Sequence, residues 1–282
     1  MKLLHNTRRT ALLASLTVLL GMSSVASIAQ AQVEDQSLKA AIAAGHRTPA
    51  FAARDAARHP YETLSFFGIK PNMTVVELAP GGGWYTEILA PYLRDKGRLV
   101  LGGDDPASTQ AYFQRSAARM QEKLAANPAL YDRVQVGVFN PAAGKLSYVA
   151  PASADLVLTF RNVHNWVSQG EAATQAAFKS AFDSLKPGGV FGVVEHRLPA
   201  DREQDAKASS GYVHQSYVVR MAESVGFKLA GSSEVNANPK DKADHEGGVW
   251  ALPPTYGNKD KDRAKYEAIG ESDRMTLKFV KP

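Results

Sequence analysis

Hydrophobic and polar positions along the chain predict short strands that alternate with amphipathic helices. Apolar runs predict strands at 74–79, 98–102, 134–139, 155–160, 190–195, 227–235 and 275–280. Between them, apolar residues recur three and four positions apart, which predicts helices at 84–94, 105–125, 171–185 and 212–225. This alternation is typical of a mostly parallel sheet that is covered by helices on both faces.

The same pattern divides the chain into regions. Residues 32–70 carry short Ala-rich helical segments and are predicted to form an N-terminal helical cap, and residues 71–282 form the α/β domain. A polar connection at about 236–274 joins the last two strands. Connections of this length are usually functional or disordered, so this one is predicted to fold over the ligand-binding face, with Trp250 and Tyr256 as its apolar anchors.

The first 31 residues have the pattern of a secretory signal peptide. Lys2, Arg8 and Arg9 precede an uncharged run at 11–22, and Ala29-Gln30-Ala31 supplies a cleavage site. We therefore expect a periplasmic or secreted protein with no membrane association after cleavage. Sec export is expected, and the paired arginines leave the twin-arginine route open.

Composition excludes several classes of function. The chain has 33 Lys and Arg against 28 Asp and Glu, and three of those basic residues lie in the leader, so no nucleic-acid partner is expected. The absence of Cys excludes disulfides, thiolate nucleophiles and Cys-ligated metals. His59, His214 and His245 lack a ligand spacing with nearby acids, and no metal site is predicted.

A glycine-rich turn stands between the first strand and its helix, in the sequence Glu77-Leu-Ala-Pro-Gly-Gly-Gly83. Ligands of open parallel sheets bind at the carboxyl ends of the strands, and glycines let the backbone approach them closely. A P-loop is excluded because no Gly-Lys-Ser/Thr follows, and Thr86 takes the place of the third glycine of the dinucleotide fingerprint. A tight turn that binds nothing is the structural alternative.

The segment Glu77-x-Ala79-x-Gly81-x-Gly83 resembles motif I of class I S-adenosylmethionine-dependent methyltransferases, with Ala79 where that family usually has Gly. Segments 154–158 and 185–189 resemble the fourth strand of that fold and the approach to its fifth, and the similarity covers residues 61–282. Segments 161–166, 195–197 and 270–275 resemble a subgroup of exported bacterial predicted methyltransferases.

This resemblance implies a Rossmann-like methyltransferase fold, with a mostly parallel seven-stranded sheet and an antiparallel last strand. It also implies S-adenosylmethionine as the cofactor. Asp104, rather than the helix-capping Asp105, is expected at the ribose, and Asn140, which is also a turn former, at the adenine amine. The full set of expected cofactor-binding residues is Glu77, Ala79, Gly81, Gly82, Gly83, Asp104, Asn140, Arg161 and Asn162.

Candidate chemistry follows the predicted fourth and fifth strands, which flank the expected acceptor pocket. Transfer to oxygen or nitrogen needs a general base, and His164 is the first candidate, with His196 and Glu195 as the others. Arg161 and Arg197 either hold an acidic acceptor or pair with Glu195. Trp166 either stacks on an acceptor or packs in the core.

The sequence thus predicts an S-adenosylmethionine-dependent methyltransferase that acts on a small molecule outside the cytoplasm. The alternative is a non-catalytic periplasmic binding protein that retains the fold. A nicotinamide-dependent oxidoreductase is disfavoured by Thr86. The sequence gives no indication of the oligomeric state.

Overall fold

A computed structural model describes Met1 and residues 34–282. The predicted signal peptide, Met1 apart, lies outside the described residues. Residues 35–282 form one compact unit. Within the part that is described, no helix has both the length and the apolar character needed to cross a membrane.

The elements follow the predicted alternation. The strands are β1 (Thr74–Leu78), β2 (Arg98–Gly103), β3 (Gln135–Asn140), β4 (Lys145–Ser147), β5 (Ala154–Phe160), β6 (Leu185–His196), β7 (Lys228–Ser233) and β8 (Arg274–Val280). The α-helices are α1 (Gln36–Ile42), α2 (Pro49–Ala52), α3 (Asp55–Arg58), α4 (Pro60–Phe67), α5 (Thr86–Leu93), α6 (Ala111–Ala126), α7 (Pro128–Tyr131), α8 (Val163–Ser168), α9 (Glu171–Ser184), α10 (Gln215–Ser224) and α11 (Arg263–Ile269).

The strands form a single sheet in the order β4-β3-β2-β1-β5-β6-β8-β7. Strands β3, β2, β1, β5 and β6 are parallel, and β8 is antiparallel to both of its neighbours. The predicted mostly parallel sheet is confirmed, but the predicted count of seven strands is wrong. The eighth strand, β4, pairs antiparallel with β3 and is only three residues long, too short to produce a recognisable alternation.

Both faces of the sheet are buried, as the near-continuous apolar strands require. Because successive side chains of a strand point to opposite faces, Val75 and Val76 of β1 pack into two different core clusters. Leu38 of α1 and Phe67 of α4 join the cluster on the α5 side. Burial of a side chain such as Phe67 contributes about 1.5–3 kcal/mol, which fixes the N-terminal helices against the sheet.

The chain leaves β1 toward β2 and β3 on one side and returns to β5 and β6 on the other, so strand order reverses between β1 and β5. A crevice at the carboxyl ends of the strands is expected at this switch point.

Two local predictions need correction. The helix predicted from Asp105 begins at Ala111, because the Asp105 carboxylate instead accepts from the Ala107 N–H in a turn. The connection at 236–274 is not structureless, since it contains a short 3₁₀ helix (Gly248–Ala251) and α11.

Candidate active site

A cleft of about 490 Å³ lies at the carboxyl ends of the parallel strands. We call the carboxyl ends of β1, β2 and β3 the cofactor half of this edge, and those of β5 and β6, with the segments at 54–58 and 271–274, the acceptor half. The residues that line the cleft are Ala79, Gly81, Asp104, Asp105, Gln110, Tyr112, Phe113, Ser116, Phe139, Asn140, Pro141, Ala142, Asn162, Asn165, Trp166, Ser168 and Gln169.

Five of the predicted cofactor residues line this cleft: Ala79, Gly81, Asp104, Asn140 and Asn162. The other four, Glu77, Gly82, Gly83 and Arg161, are not among its lining residues. These roles remain predictions, although the fold brings residues from four different strand ends to one cavity.

The glycine-rich turn bends through left-handed backbone conformations, with φ of +50° at Ala79, +58° at Gly81 and +80° at Gly83. This conformation costs a residue with a Cβ about 1–2 kcal/mol, so Ala79 is strained. The Ala79 carbonyl accepts from Asn162 Nδ2 at 3.2 Å, which ties the turn to the end of β5. A Cβ at Gly81 would meet no atom within 4 Å, so the backbone there faces open cleft.

Glu77 lies at the end of β1 beneath the turn and is only 2% exposed. Its Oε2 accepts from the Thr86 hydroxyl at 2.7 Å. Burial raises its pKa to about 8, although the Thr86 hydrogen bond and the charge of Arg161 oppose the shift. At neutral pH, Glu77 is therefore largely protonated.

The two acids after β2 differ in what they already bind. Asp105 Oδ2 pairs with Lys145 Nζ at 2.6 Å, and Oδ1 accepts from the Ala107 N–H at 2.8 Å. Asp104 is half-buried beside the Ser116 hydroxyl, and burial raises its pKa. Since Asp105 is held by structural contacts, Asp104 is the acid that remains available to a ligand.

The end of β3 combines an amide with aromatic surface. Asn140 Oδ1 accepts from the Ala143 N–H at 3.3 Å, so the turn-forming role of Asn140 is present and its Nδ2 faces a different direction. Phe139 is buried, Phe113 is half-buried, and Tyr112 is 61% exposed on the cleft wall. These three rings give this part of the cleft an aromatic surface on which a planar ligand could stack.

His164 and Glu195 form a buried dyad in the acceptor half. His164 Nδ1 lies 2.9 Å from Glu195 Oε1, and Glu195 Oε2 accepts from the Val163 N–H at 2.5 Å. Glu195 is fully buried, and it also accepts from the His196 N–H at 2.8 Å. Because a carboxylate only accepts, Nδ1 of His164 is the donor in this contact, and in the neutral ring Nε2 then carries the lone pair.

His196 lies beside this dyad, with ring centroids 5.4 Å apart. Its Nδ1 is 2.5 Å from the Ser272 hydroxyl. Burial, and then the charges of His164 and Arg161, hold the pKa of His196 well below its usual value, so its ring is neutral at pH 7. Trp250, from the 236–274 connection, packs edge-on against His164 at 6.0 Å, although it is 40% exposed.

The two arginines predicted at these strand ends have different partners. Arg197 forms bidentate ion pairs with Asp273 and Glu234, which raise its pKa. Neither Arg161 nor Arg197 pairs with Glu195, whose oxygens accept from the dyad and from backbone N–H groups. Trp166 packs edge-on against Phe139 and Phe178 and is 3% exposed, so its main role is in the core.

Sequence reasoning did not find the arginines that surround Arg161. Arg54 Nε contacts Glu271 Oε1 at 2.6 Å, and Arg274 Nη1 contacts Glu271 Oε2 at 3.0 Å. Arg58 Nε approaches the same Oε2 at 3.4 Å. The contacts join residues up to 217 positions apart. Glu271 and Arg274 lie in the segment 270–275 that the resemblance singled out, but no sequence pattern pairs them with Arg54 and Arg58.

Histidine and acid also come together in two places. His164, Glu195 and His196 place one ligand atom each within 4.8 Å of one another, a spacing that a metal ion accepts, although the Glu195 oxygens are occupied by N–H donors. His245 Nε2 lies 2.8 Å from Asp241 Oδ1, an acid four positions earlier in the chain that the sequence analysis did not pair with it. That pair is buried, and Asp241 also accepts from the Tyr212 hydroxyl at 2.9 Å.

Comparison with known proteins identifies the fold. No protein-family model matches the sequence, and no curated protein matches it. An S-adenosylmethionine-dependent methyltransferase from Aquifex aeolicus is similar in structure, with a TM-score of 0.53 and 14% identity over 88% of this chain and 98% of that one. A putative sarcosine dimethylglycine methyltransferase from Galdieria sulphuraria is also similar in structure. Its TM-score is 0.53, and its sequence identity is 13% over 83% of this chain and 90% of that one.

The chain therefore has the Rossmann-like fold of class I S-adenosylmethionine-dependent methyltransferases. The [4+2]-cyclase SpnF is also similar, with a TM-score of 0.50 and 14% identity over 80% of each chain. Since a cyclase shares this fold, the fold alone does not assign the reaction.

Proposed function

We propose that this protein is an S-adenosylmethionine-dependent methyltransferase that acts on a small-molecule acceptor outside the cytoplasm. The observation that carries the proposal is the cleft at the switch point, where the glycine-rich turn meets Asp104, Asn140 and Asn162. Export is supported by the leader pattern of residues 1–31.

The cleft suits the parts of the cofactor. The Asp104 carboxylate has acceptor capacity for both ribose hydroxyls, and the Asn140 side-chain amide, which lines the cleft, is a polar partner for the adenine edge. Phe113, Phe139 and Tyr112 offer apolar surface for the adenine ring. The Ala79–Gly81 backbone faces the open cleft where the amino-acid end would lie.

The cofactor, when bound, supplies a methyl group on a positively charged sulfur, and the protein's task is to orient the acceptor and remove its proton. His164 Nε2 has the free lone pair for this proton. Glu195 fixes the ring orientation through Nδ1 and stabilises the imidazolium that forms. A positioned base of this kind contributes about 10²–10⁴-fold to the rate.

His196 is the second candidate base. Its ring is neutral at pH 7, and it stands next to His164, but its Nδ1 is engaged with Ser272. Substitution of each histidine separately decides between them, because the base controls the rate of transfer and leaves cofactor affinity unchanged.

The alternative, a binding protein without catalysis, does not use His164 as a base. Glu195 is fully buried and orients the His164 ring through Nδ1, which a general base uses and which ligand retention does not require. If the protein only binds its ligand, His164→Ala leaves the affinity for S-adenosylhomocysteine unchanged, and no methyl transfer is detected in the wild type or in the variant. If the protein is a methyltransferase, the same substitution lowers the rate of transfer.

Calorimetry tests the proposal directly. Protein purified after expression of the full chain is titrated with S-adenosylmethionine and with its demethylated product, S-adenosylhomocysteine. We expect one binding site for each, and weaker binding by about tenfold or more for Asp104→Asn, since this removes hydrogen bonds to a charged acceptor. Absence of binding by both compounds would overturn the proposal.

A further inference from the structure

The acceptor half contains a buried cluster of positive charge that the proposed transfer reaction does not by itself require. Arg54, Arg58, Arg161 and Arg274 surround a single carboxylate, Glu271, and three of them contact it directly. Arg58 and Arg274 are each only 3% exposed. Four guanidinium groups therefore lie around one carboxylate, and Asp273 is a second acid whose charge acts on Arg274.

Burial, together with the charges inside the cluster, shifts the pKa values of Arg58, Arg161, Arg274 and Glu271. Burial, then repulsion by Arg161, lowers the pKa of Arg58 to about 8. Burial, then repulsion by Arg274, lowers that of Arg161 to about 10. Although burial opposes it, the Arg54 hydrogen bond and the charges of Arg274 and Arg58 hold the pKa of Glu271 at about 2. Buried charge that is not fully paired destabilises a fold, so an anion that enters the cluster would interact favourably with it.

Hydrogen-bond donors in the cluster are also unused. No acceptor in the described part of the chain bonds to the Arg161 guanidinium, and Arg161 is half-buried rather than enclosed. The Arg274 Nε is buried and has no partner. Arg161 also has a left-handed backbone, with φ of +61°, a strained state that the fold maintains at this position. These donors point to an oxyanion ligand, which a guanidinium fork binds in a bidentate manner.

The position of Arg161 connects the cluster with both halves of the site. It directly follows β5 and precedes Asn162, which lines the cleft. Its charge acts on Glu77 under the glycine-rich turn and on His196 beside the dyad. An anion held here would be bound by a residue that neighbours the cleft-lining Asn162 in the chain.

We propose that Arg54, Arg58, Arg161 and Arg274 bind the oxyanion group of the methyl acceptor, so that the substrate is an acidic small molecule that bears a carboxylate or a phosphate. This inference rests on the proposed function. Of the roles that the sequence left open for Arg161, it assigns the one at an acidic acceptor rather than the one at the cofactor.

The test uses two simple anions, benzoate and inorganic phosphate, as probes at low ionic strength, where screening is weak. Binding is measured by calorimetry and by thermal unfolding, with and without saturating S-adenosylhomocysteine. Arg161→Gln and Arg161→Gly are the test variants, because the Arg161 side chain has no hydrogen bond to another described residue and Gly tolerates the backbone conformation. Arg197→Gln is the matched control, since Arg197 lies at the same edge but is paired by Asp273 and Glu234.

We expect at least one probe to bind the wild type with and without S-adenosylhomocysteine, about tenfold weaker binding to both Arg161 variants, and unchanged binding to Arg197→Gln. Equal probe binding by wild type and Arg161→Gln overturns the inference. So does a loss of S-adenosylhomocysteine affinity in Arg161→Gln with probe binding intact, since Arg161 would then serve the cofactor. If S-adenosylhomocysteine binds to no variant, the proposed function fails, while the measurements without it still decide whether the cluster binds anions.

Discussion

The pKa of a buried glutamate is shifted in opposite directions in the two halves of the site. In the cofactor half, burial dominates at Glu77 and raises its pKa to about 8. In the acceptor half, three arginine contacts overcome burial at Glu271 and hold its pKa at about 2. The same residue type is thus largely neutral in one half and ionised in the other, and the partner, more than the burial, decides the charge.

This difference also separates what each half can bind. The cofactor half offers hydrogen-bonding groups, open backbone and aromatic surface, which suit a nucleoside. The acceptor half concentrates guanidinium groups beside a histidine dyad, which suits an acidic molecule that must lose a proton. Four predictions test this contrast, in order of decreasing effect.

The largest effect is expected at the dyad. His164→Ala should lower the rate of methyl transfer by about 10²–10⁴-fold, because the proposed base is lost, while S-adenosylhomocysteine affinity stays the same. The rate is measured in single turnovers with methyl-labelled cofactor and a periplasmic small-molecule extract. Glu195→Gln should lower the rate in the same direction, and an unchanged rate in both variants would contradict the assignment.

The second effect is a pH dependence of stability from Glu77. Its pKa is raised from 4.5 in the unfolded chain to about 8 in the folded one, so the folded state holds a proton that the unfolded state releases. The stabilisation is complete below pH 4.5 and is lost as the pH rises toward 8, by on the order of 2–4 kcal/mol. Denaturant unfolding between pH 5 and 8 should show this slope, and Glu77→Gln should flatten it. A slope that is identical in the variant would refute the account of Glu77.

The third effect distinguishes the two acids after β2. Asp104→Asn should lower cofactor affinity by about 1.5–3 kcal/mol, because the hydrogen bonds of the ribose to a charged acceptor are lost. Asp105→Asn is the matched control, and we expect its effect on affinity to be smaller, since Asp105 is already bound to Lys145 and Ala107. Calorimetry with S-adenosylhomocysteine compares them, and a larger loss in Asp105→Asn would reverse the assignment.

The fold was largely predictable from sequence because its signals are local. The Val75–Leu78 run, the glycines that follow it and the helix after them are read from neighbouring residues, as is Asp104 at the next strand end. Strand β4 was not predicted because three residues are too few to show an alternation of apolar and polar positions. The arginine cluster was not predicted because Arg54 and Glu271, which are 217 positions apart in the sequence, come into contact only in the folded chain.

The charge states of the buried acids in the site could not be predicted from the sequence either. The sequence contains Glu77, Glu195 and Glu271 but does not indicate their partners. In the fold, Glu77 is buried beside the Thr86 hydroxyl, Glu195 contacts His164, and Glu271 contacts arginines. Those differences depend on long-range packing, and they determine the chemistry more than residue identity does.

The smallest effect is expected at the strained residue of the turn. Ala79→Gly should stabilise the protein by about 0.5–1 kcal/mol, because Gly relieves the left-handed strain at φ of +50° but adds entropy to the unfolded chain. Chemical denaturation measures the change, with Ala118→Gly in the exposed middle of α6 as a control that should destabilise by about 0.5–1 kcal/mol. Destabilisation by both variants would show that Ala79 is not strained.

The central claim is that the cleft at the switch point is a nucleoside site. A crystal structure of the protein with S-adenosylhomocysteine tests it most directly. We predict that the ribose lies within hydrogen-bonding distance of the Asp104 carboxylate and that the amino-acid end lies over the Ala79–Gly81 backbone. The adenine should lie between Asn140 and the aromatic rings that line the cleft. A nucleoside bound elsewhere, or a cleft that stays empty at saturating ligand, would contradict the claim.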